Sequence, residues 1–190
     1  MNRAVFLDRD GVINRKAPRG EYIVRWEEME FLPGAVEAIA LLNHAGLAVI
    51  VVSNQRCIAN GLITIAELDS LHERMCDAIA RSGATIDAVY YCPHELQPPC
   101  SCRKPLPGML LKAARTHEID LAASWMIGDS DIDVEAGRSA GCNTIQLLES
   151  NEPGTANADM VAESLLEAVR QILRPARSKC QMLKDRLSRK

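Results

Sequence analysis

Short apolar runs alternate along the chain with longer segments in which apolar residues recur at helical spacing. The short runs predict strands at 5–7, 47–52, 86–91, 125–127 and 144–148, and a brief edge strand at 160–161. The longer segments predict helices that begin near residues 34, 64, 105, 131 and 164. Strands that alternate with helices are typical of a doubly wound α/β domain, with a mainly parallel sheet and helices on both of its faces. The insertions between these elements are short, so any caps over the sheet are expected to be loop-sized.

The length and composition favour a single domain. With 190 residues, of which 47% are hydrophobic, the chain resembles an ordinary soluble globular protein with one core. We expect this domain to cover 1–174. Between 175 and 190 six basic residues stand against one acidic residue, which predicts a solvated or frayed tail.

The charge and the first residues of the chain disfavour several kinds of partner. A net charge of −3 and an isoelectric point near 5.8 argue against nucleic acid and against an anionic membrane. The apolar residues 4–7 are followed at once by Asp-Arg-Asp, so neither a signal peptide nor a membrane-spanning helix is expected there. These features predict a cytoplasmic protein, which we expect to be a monomer.

Two carboxylates stand at the end of the first predicted strand. Asp8 follows the apolar residues 5–7, and Asp10 lies in the loop where Gly11 breaks the strand. Reactive groups gather at the carboxyl ends of the strands in open α/β sheets. Two carboxylates this close repel each other unless a cation or a proton lies between them, and oxygen ligands favour Mg²⁺. The alternative interpretation is an Asp-rich turn.

Other polar groups follow the second and the fourth predicted strands. Ser53 and Asn54 leave the sheet at the same edge as Asp8, where small donors can hold a phosphoryl oxygen. A turn that satisfies only its own backbone is the alternative there. Asp129 stands just after the fourth predicted strand. Its carboxylate can complete a magnesium site with Asp8 and the backbone carbonyl of Asp10.

A set of metal-ligating residues follows the third predicted strand. Cys92, His94, Cys100 and Cys102 offer four soft-to-borderline ligands within eleven residues, and such a set suits tetrahedral Zn²⁺. Because four protein ligands leave no position for water, this zinc is expected to be structural. Three unliganded thiols beside a histidine are the alternative. By contrast, His72 lies within the second predicted helix, where a solvated or capped imidazole is expected.

Two cations come directly after the cysteine cluster, so a bound zinc would determine where they point. Lys104 can neutralise the Asp8 cluster and a transferring phosphoryl group, while the planar guanidinium of Arg103 can grip a substrate phosphate or hydroxyl. Considered alone, either residue could be a surface cation.

Four segments taken together resemble the motifs of the haloacid dehalogenase superfamily of phosphohydrolases. They are Asp8-x-Asp10-Gly-Val, Val52-Ser-Asn54, Arg103-Lys104-Pro and Gly128-Asp129-Ser-x-x-Asp133, and the resemblance runs from about residue 5 to about residue 173. The resemblance implies that Asp8 is a nucleophile that forms an aspartyl phosphate and that Asp10 is the general acid and base. It also implies that Ser53, Lys104 and Mg²⁺ hold the phosphoryl charge and that Asp133 orients Lys104.

The cysteine insert narrows the resemblance to the heptose bisphosphate phosphatases and the related histidinol phosphatases. We therefore expect a small phosphorylated sugar of heptose biosynthesis as substrate. Histidinol phosphate or another small phosphometabolite is the alternative, and a non-catalytic, zinc-stabilised binding module is a remote one. Loop residues should recognise the substrate: Tyr22, Asn54, Gln55, Arg56 and Arg103. In the heptose bisphosphate phosphatases an arginine is typical at the position of Asn60, whereas this chain carries an arginine at position 56. This difference concerns how the distal part of the substrate is held.

Overall fold

Six parallel strands form one sheet in the computed structural model, which describes residues 2–148 and 157–174. The strands are β1 (Ala4–Leu7), β2 (Ala48–Asn54), β3 (Ala88–Cys92), β4 (Trp125–Gly128), β5 (Asn143–Leu147) and β6 (Met160–Ala162). Their order across the sheet is β3-β2-β1-β4-β5-β6, and every neighbouring pair is parallel. The predicted fold class is confirmed.

Within the described residues four α-helices connect successive strands, and a fifth follows β6. They are α1 (Ala35–His44), α2 (Ile65–Arg81), α3 (Gly108–His117), α4 (Asp131–Ala140) and α5 (Leu165–Leu173), with short 3-10 turns at Trp26–Glu28 and Leu121–Ala123. Thr64 caps α2, near the predicted start, through an exchange of hydrogen bonds with Glu67. Helix α3 begins at Gly108, three residues later than the sequence predicts, with Pro107 as its N-cap, because the residue that precedes a proline is disfavoured in a helix.

The two faces of the sheet bury separate apolar layers. Alternate residues of β1 point to opposite faces, so Val5 and Leu7 pack with α1, α2 and α5, whereas Ala4 and Phe6 pack with α3 and α4. Both layers are continuous with the apolar sides of the helices that cover them. A sheet covered on both faces explains why its strands are runs of aliphatic residues and not alternating patterns.

The order of the strands reverses between β1 and β4, and ligands of open α/β sheets bind at such a reversal. The register pairs Leu7 with both Ile127 of β4 and Val51 of β2, so β1 and β4 end within one residue of each other, and β2 runs on beside them to Asn54. The chain therefore places the residues after β1, β2 and β4 at one point.

Two further predictions concern a membrane-spanning helix and the C-terminal tail. None of the described helices is long and apolar enough to cross a membrane. The predicted basic tail at 175–190 lies outside the described residues, so the domain boundary near 174 stays a prediction.

Candidate active site

A cavity of about 300 Å³ opens at the carboxyl ends of β1, β2 and β4. Eight of the residues that the sequence singles out line it: Asp8, Asp10, Tyr22, Ser53, Asn54, Gln55, Lys104 and Asp129. The loop that joins β1 to α1 supplies one wall of the cavity through residues 16–23. The separate segments picked out in the sequence thus come together in one site.

The ammonium group of Lys104 lies at the centre of this site. Its side chain is 1% exposed, and Nζ lies 2.8 Å from Asp8 Oδ1 and 2.6 Å from Asp133 Oδ1. Nζ also donates to the carbonyl oxygen of Val52 at 2.8 Å. Burial alone would lower the pKa of Lys104, but the charges of Asp8 and Asp133 outweigh it and raise the pKa. Lys104 is therefore a fixed cation between two carboxylates.

Asp133 is fully buried at the start of α4, where it has a second contact besides Lys104. Its carboxylate accepts hydrogen bonds from the backbone N–H and the hydroxyl of Ser130, so the two residues form a capping box. Gly128 leaves room for this carboxylate, because a Cβ at that position would overlap the Asp133 side chain. The helix cap thus also fixes the group that faces Lys104.

The environment of Asp8 favours its neutral form. Burial raises the pKa of Asp8 to about 7, against the pull of Lys104, and the charges of Asp133 and Asp10 add to the rise. At this pKa the carboxyl group is only partly ionised at neutral pH, and a cation bound beside it would lower the pKa.

The carboxylate of Asp10 is turned toward a different set of partners. Arg9 Nη2 donates to Oδ1 at 3.0 Å, Asn14 Nδ2 to Oδ1 at 2.9 Å, and Gln55 Nε2 to Oδ2 at 3.0 Å. Burial would raise the pKa of Asp10, but the Arg9 charge and these hydrogen bonds outweigh it and lower the pKa. Gln55 Nε2 also donates to Ser53 Oγ at 2.8 Å and so ties Asp10 to the end of β2.

Three carboxylates form a group that fits a hard cation. Oxygen atoms of Asp8, Asp129 and Asp133 all lie within 4.8 Å of one another, while the side chain of Asp10 is not part of the group. Burial raises the pKa of Asp129, as expected for acids held together without enough positive charge. The Lys16 ammonium contacts the Asp129 carboxylate, which shows that a cation is accommodated there. Oxygen-only donors around a cation position suit Mg²⁺.

The four predicted zinc ligands also converge, in the loop after β3. Their ligand atoms lie within 4.8 Å of one another, and the Cys92–Cys102 and Cys100–Cys102 sulfur pairs are 3.3 and 3.4 Å apart. Sulfur atoms bound to one tetrahedral zinc lie about 3.7 Å apart, so the set needs only a small expansion to hold the ion. No disulfide joins the cysteines within the described residues.

Two arginines predicted to bind substrate are not among the residues that line the cavity. Arg56 Nε lies 3.3 Å from Glu95 Oε1, and Arg103 Nη1 donates to the carbonyl oxygen of His94 at 3.4 Å. Both are therefore engaged with the cysteine loop, and their role in recognition stays a prediction.

The sequence interpretation missed several groups of the site. Arg9 and Asn14 are buried against Asp10, and Lys16 and Arg19 line the cavity. Of the two expectations for His72, a solvated or a capped imidazole, the solvated one is wrong, because this side chain is 4% exposed and contacts Arg9. A usable signal was present, since residue 72 lies on the same side of α2 as the apolar positions 68, 75 and 79.

The fold and the site define a phosphohydrolase of the haloacid-dehalogenase-like class, with a carboxylate pair at the first strand end, a buried lysine and an acidic fourth strand end. The family model described as HAD-hydrolase-like matches residues 101–168. The chain is 39% identical over 173 residues to the D-glycero-beta-D-manno-heptose-1,7-bisphosphate 7-phosphatase of Escherichia coli K12, across 87% of this chain and 89% of that protein. The corresponding enzyme of Yersinia pestis is 38% identical, across 87% and 90%.

A solved structure agrees with these relatives. The D,D-heptose 1,7-bisphosphate phosphatase of B. bronchiseptica, crystallised in complex with magnesium and phosphate, superposes with a TM-score of 0.83 at 35% identity, over 92% of this chain and 99% of that chain. The chain belongs to the D-glycero-beta-D-manno-heptose-1,7-bisphosphate 7-phosphatase family, and it is a phosphoric monoester hydrolase. The resemblance inferred from the four motifs and the cysteine insert is confirmed.

Proposed function

We propose that this phosphatase removes the 7-phosphate of D-glycero-D-manno-heptose 1,7-bisphosphate, as the names of its relatives say of them. The observation that carries the proposal is the cluster of Asp8, Lys104 and Asp129 in one open cavity, beside a separately held Asp10. An open cavity with only loops around it admits a substrate of this size. We also propose that the protein acts as a monomer in the cytoplasm.

Two carboxylates divide the chemistry. Asp8 attacks phosphorus to form an aspartyl phosphate, and Asp10 gives a proton to the leaving alkoxide and then takes one from the water that hydrolyses the intermediate. Lys104 neutralises charge next to Asp8, and Ser53, which is held by Gln55, donates to a phosphoryl oxygen.

Mg²⁺ would be held by Asp8, Asp129 and the backbone carbonyl of Asp10, and when bound it would neutralise charge on the phosphoryl group. Zn²⁺ would be held by Cys92, His94, Cys100 and Cys102 as a structural ion. Its loop leads into Arg103 and Lys104, so we propose that zinc keeps the direction of this segment fixed. The convergence of the four zinc ligands, and of Asp8 with Asp129, supports the two assignments.

The charges at the mouth support a bisphosphate over a cationic substrate. Lys16 and Arg19 line the cavity, while Arg56, two residues after the end of β2, lies outside the lining residues and pairs with Glu95. These cations suit a second phosphate, as expected for Arg103 too. Histidinol phosphate remains the second candidate, because Glu21 also lines the cavity and could meet an amine or an imidazole.

Steady-state kinetics with Mg²⁺ decide between the candidates. We expect kcat/KM to be highest for heptose 1,7-bisphosphate, lower for fructose 1,6-bisphosphate and lowest for histidinol phosphate. Alanine at Arg19, Arg56 or Arg103 in turn should identify the group that meets the second phosphate, since losing it costs bisphosphate turnover about 2 to 3 kcal/mol in transition-state binding. If histidinol phosphate is the best of the three, the heptose assignment is wrong and the reaction class stands.

A further inference from the structure

A buried histidine stands behind the arginine that holds Asp10. His72 lies on α2, far from Arg9 in the sequence, and its Nε2 is 3.0 Å from Arg9 Nη1. The guanidinium is 1% exposed, and its other edge faces Asp10 through Nε and Nη2. A line of three side chains therefore runs from α2 to the general acid.

The direction of the hydrogen bond between them follows from chemistry. Arg9 has only donors, so Nε2 of His72 must be the acceptor and the ring must be neutral, with its proton on Nδ1. Burial first, and then the charge of Arg9, lower the pKa of His72 to about 4, so the neutral form is present at physiological pH.

The imidazole itself is held in place from a second side. The ring of Tyr91 lies 5.5 Å away in a tilted contact, and the Tyr91 hydroxyl donates to Asp69 Oδ1 at 2.7 Å, one turn before His72 on α2. Strand β3 and helix α2 thus fix the acceptor that Arg9 meets.

Two hydrogen-bond acceptors, besides Asp10, fix the orientation of the Arg9 guanidinium, so that its remaining N–H groups point toward Asp10. Arg9 has one other partner besides Asp10 and His72 in the described residues, the carbonyl oxygen of Ile23 at a longer 3.4 Å. His72 therefore supplies the firmer of the two contacts that keep the fork on Asp10. Without it, Arg9 would keep its charge and its burial but would lose one constraint on its direction.

We propose that His72 is a positioning residue for general-acid catalysis, acting through Arg9 to hold the Asp10 carboxyl where it meets the leaving oxygen. The inference rests on the proposed role of Asp10. It concerns only the step in which the P–O bond to the alcohol breaks and the proton of Asp10 passes to that oxygen.

The experiment compares two esters that differ in their need for a proton. Heptose 1,7-bisphosphate, the sugar phosphate used here, releases a poor alkoxide leaving group and depends on the general acid. p-Nitrophenyl phosphate releases a stable phenolate and does not. kcat/KM reports the steps up to the first irreversible one, so it isolates leaving-group departure from hydrolysis of the aspartyl phosphate. The ratio of kcat/KM for the two esters is measured on one preparation, so loss of folded protein cancels.

His72→Phe removes the acceptor and keeps a ring, while His72→Gln keeps an acceptor oxygen. We expect His72→Phe to lower kcat/KM for the sugar phosphate by roughly 10- to 100-fold and for p-nitrophenyl phosphate by less than about 3-fold, with His72→Gln restoring most of the ratio. If the phenylalanine variant does not fold, His72→Met supplies the same test.

Equal losses on both esters, or a glutamine variant no better than the phenylalanine variant, overturn the inference and make His72 a packing residue. These outcomes leave the proposed function intact, because wild-type turnover of the sugar phosphate tests that separately. If wild type turns over neither ester with Mg²⁺ present, the proposed function itself is refuted.

Discussion

Replacing Asp8 by Asn should abolish phosphatase activity and, in protein without Mg²⁺, should stabilise the fold at neutral pH. Activity is lost because an amide is not a nucleophile toward phosphorus. Stability rises because the substitution removes a carboxylate whose ionised form is disfavoured where it lies. The nearly equal size of the two side chains leaves packing unchanged.

The magnitude follows from the pKa of Asp8, which is about 7 in the folded protein against an ordinary value of 3.8. Because the folded pKa is raised, neutral Asp8 contributes stability that is complete below about pH 3.8 and is lost as the pH rises through about 7. A shift of about 3 units corresponds to about 4 kcal/mol. The advantage of the Asn variant should grow from roughly 2 kcal/mol at about pH 5.5 to roughly 4 kcal/mol at about pH 8.5.

Urea unfolding at these two pH values measures the difference, in buffer without Mg²⁺ and without a chelator that would remove zinc. Asp10→Asn is the matched control. It lies two residues away, and its expected change in the free energy of unfolding has the opposite sign. The pKa of Asp10 is lowered by the charge of Arg9 in spite of burial, so its ionised form contributes stability above the ordinary pKa and loses it as the pH falls. This variant should destabilise the fold by about 2 kcal/mol or more near pH 7, since it leaves buried Arg9 without its counterion.

Two results would refute the reasoning. One is a stability difference between wild type and Asp8→Asn that stays constant or shrinks as the pH rises. The other is a change of the same sign in both variants. Addition of Mg²⁺ provides a further check, because a ligand that binds only folded protein stabilises it by mass action, and wild type should gain more than the Asn variant.

Three further substitutions test the surrounding groups. Lys104→Met should lower kcat by at least about 100-fold and destabilise the fold by roughly 3 to 5 kcal/mol, because Asp8 and Asp133 lose their shared cation; initial rates and thermal unfolding measure both. Cys100→Ser should reduce bound zinc from about one per chain to a small fraction by elemental analysis, and wild type without zinc would contradict the assignment. Gly128→Ala should displace Asp133 and cost roughly 1 to 3 kcal/mol, with lower kcat, whereas unchanged kinetics would show that Asp133 does not need its present position.

The strand ends could be predicted because the information that defines them is local. A run of aliphatic residues followed by a carboxylate or hydroxyl fixes both the element and the edge at which the polar group emerges. Parallel pairing then brings Asp8, Ser53 and Asp129 together without further information. The residue types at Thr64 and Gly141 likewise suit the start of α2 and the end of α4, since a threonine caps a helix at its first turn and a glycine ends one.

The partners of Asp10 could not be predicted in the same way. Arg9 lies between two aspartates, and its neighbours in the sequence do not reveal that its guanidinium folds back into the protein. That direction depends on His72, which reaches it from α2, and on the carbonyl of Ile23. Likewise, the charge of Arg56 suggested a substrate phosphate, whereas its direction toward Glu95 follows from how two loops meet in space.

The opposite environments of Asp8 and Asp10 place a condition on the reaction. In the protein alone, burial raises the pKa of Asp8, while Arg9 lowers that of Asp10 in spite of burial. The proposed mechanism, by contrast, requires an ionised Asp8 and a protonated Asp10. Ligand charges can reverse this order, since a cation near Asp8 lowers its pKa and a phosphate dianion near Asp10 raises its pKa. The hydrogen bonds from Arg9 would keep the Asp10 carboxyl group in place while its protonation state changes. A bound cation and a charged substrate together would therefore move both pKa values in the direction that the proposed roles of Asp8 and Asp10 require.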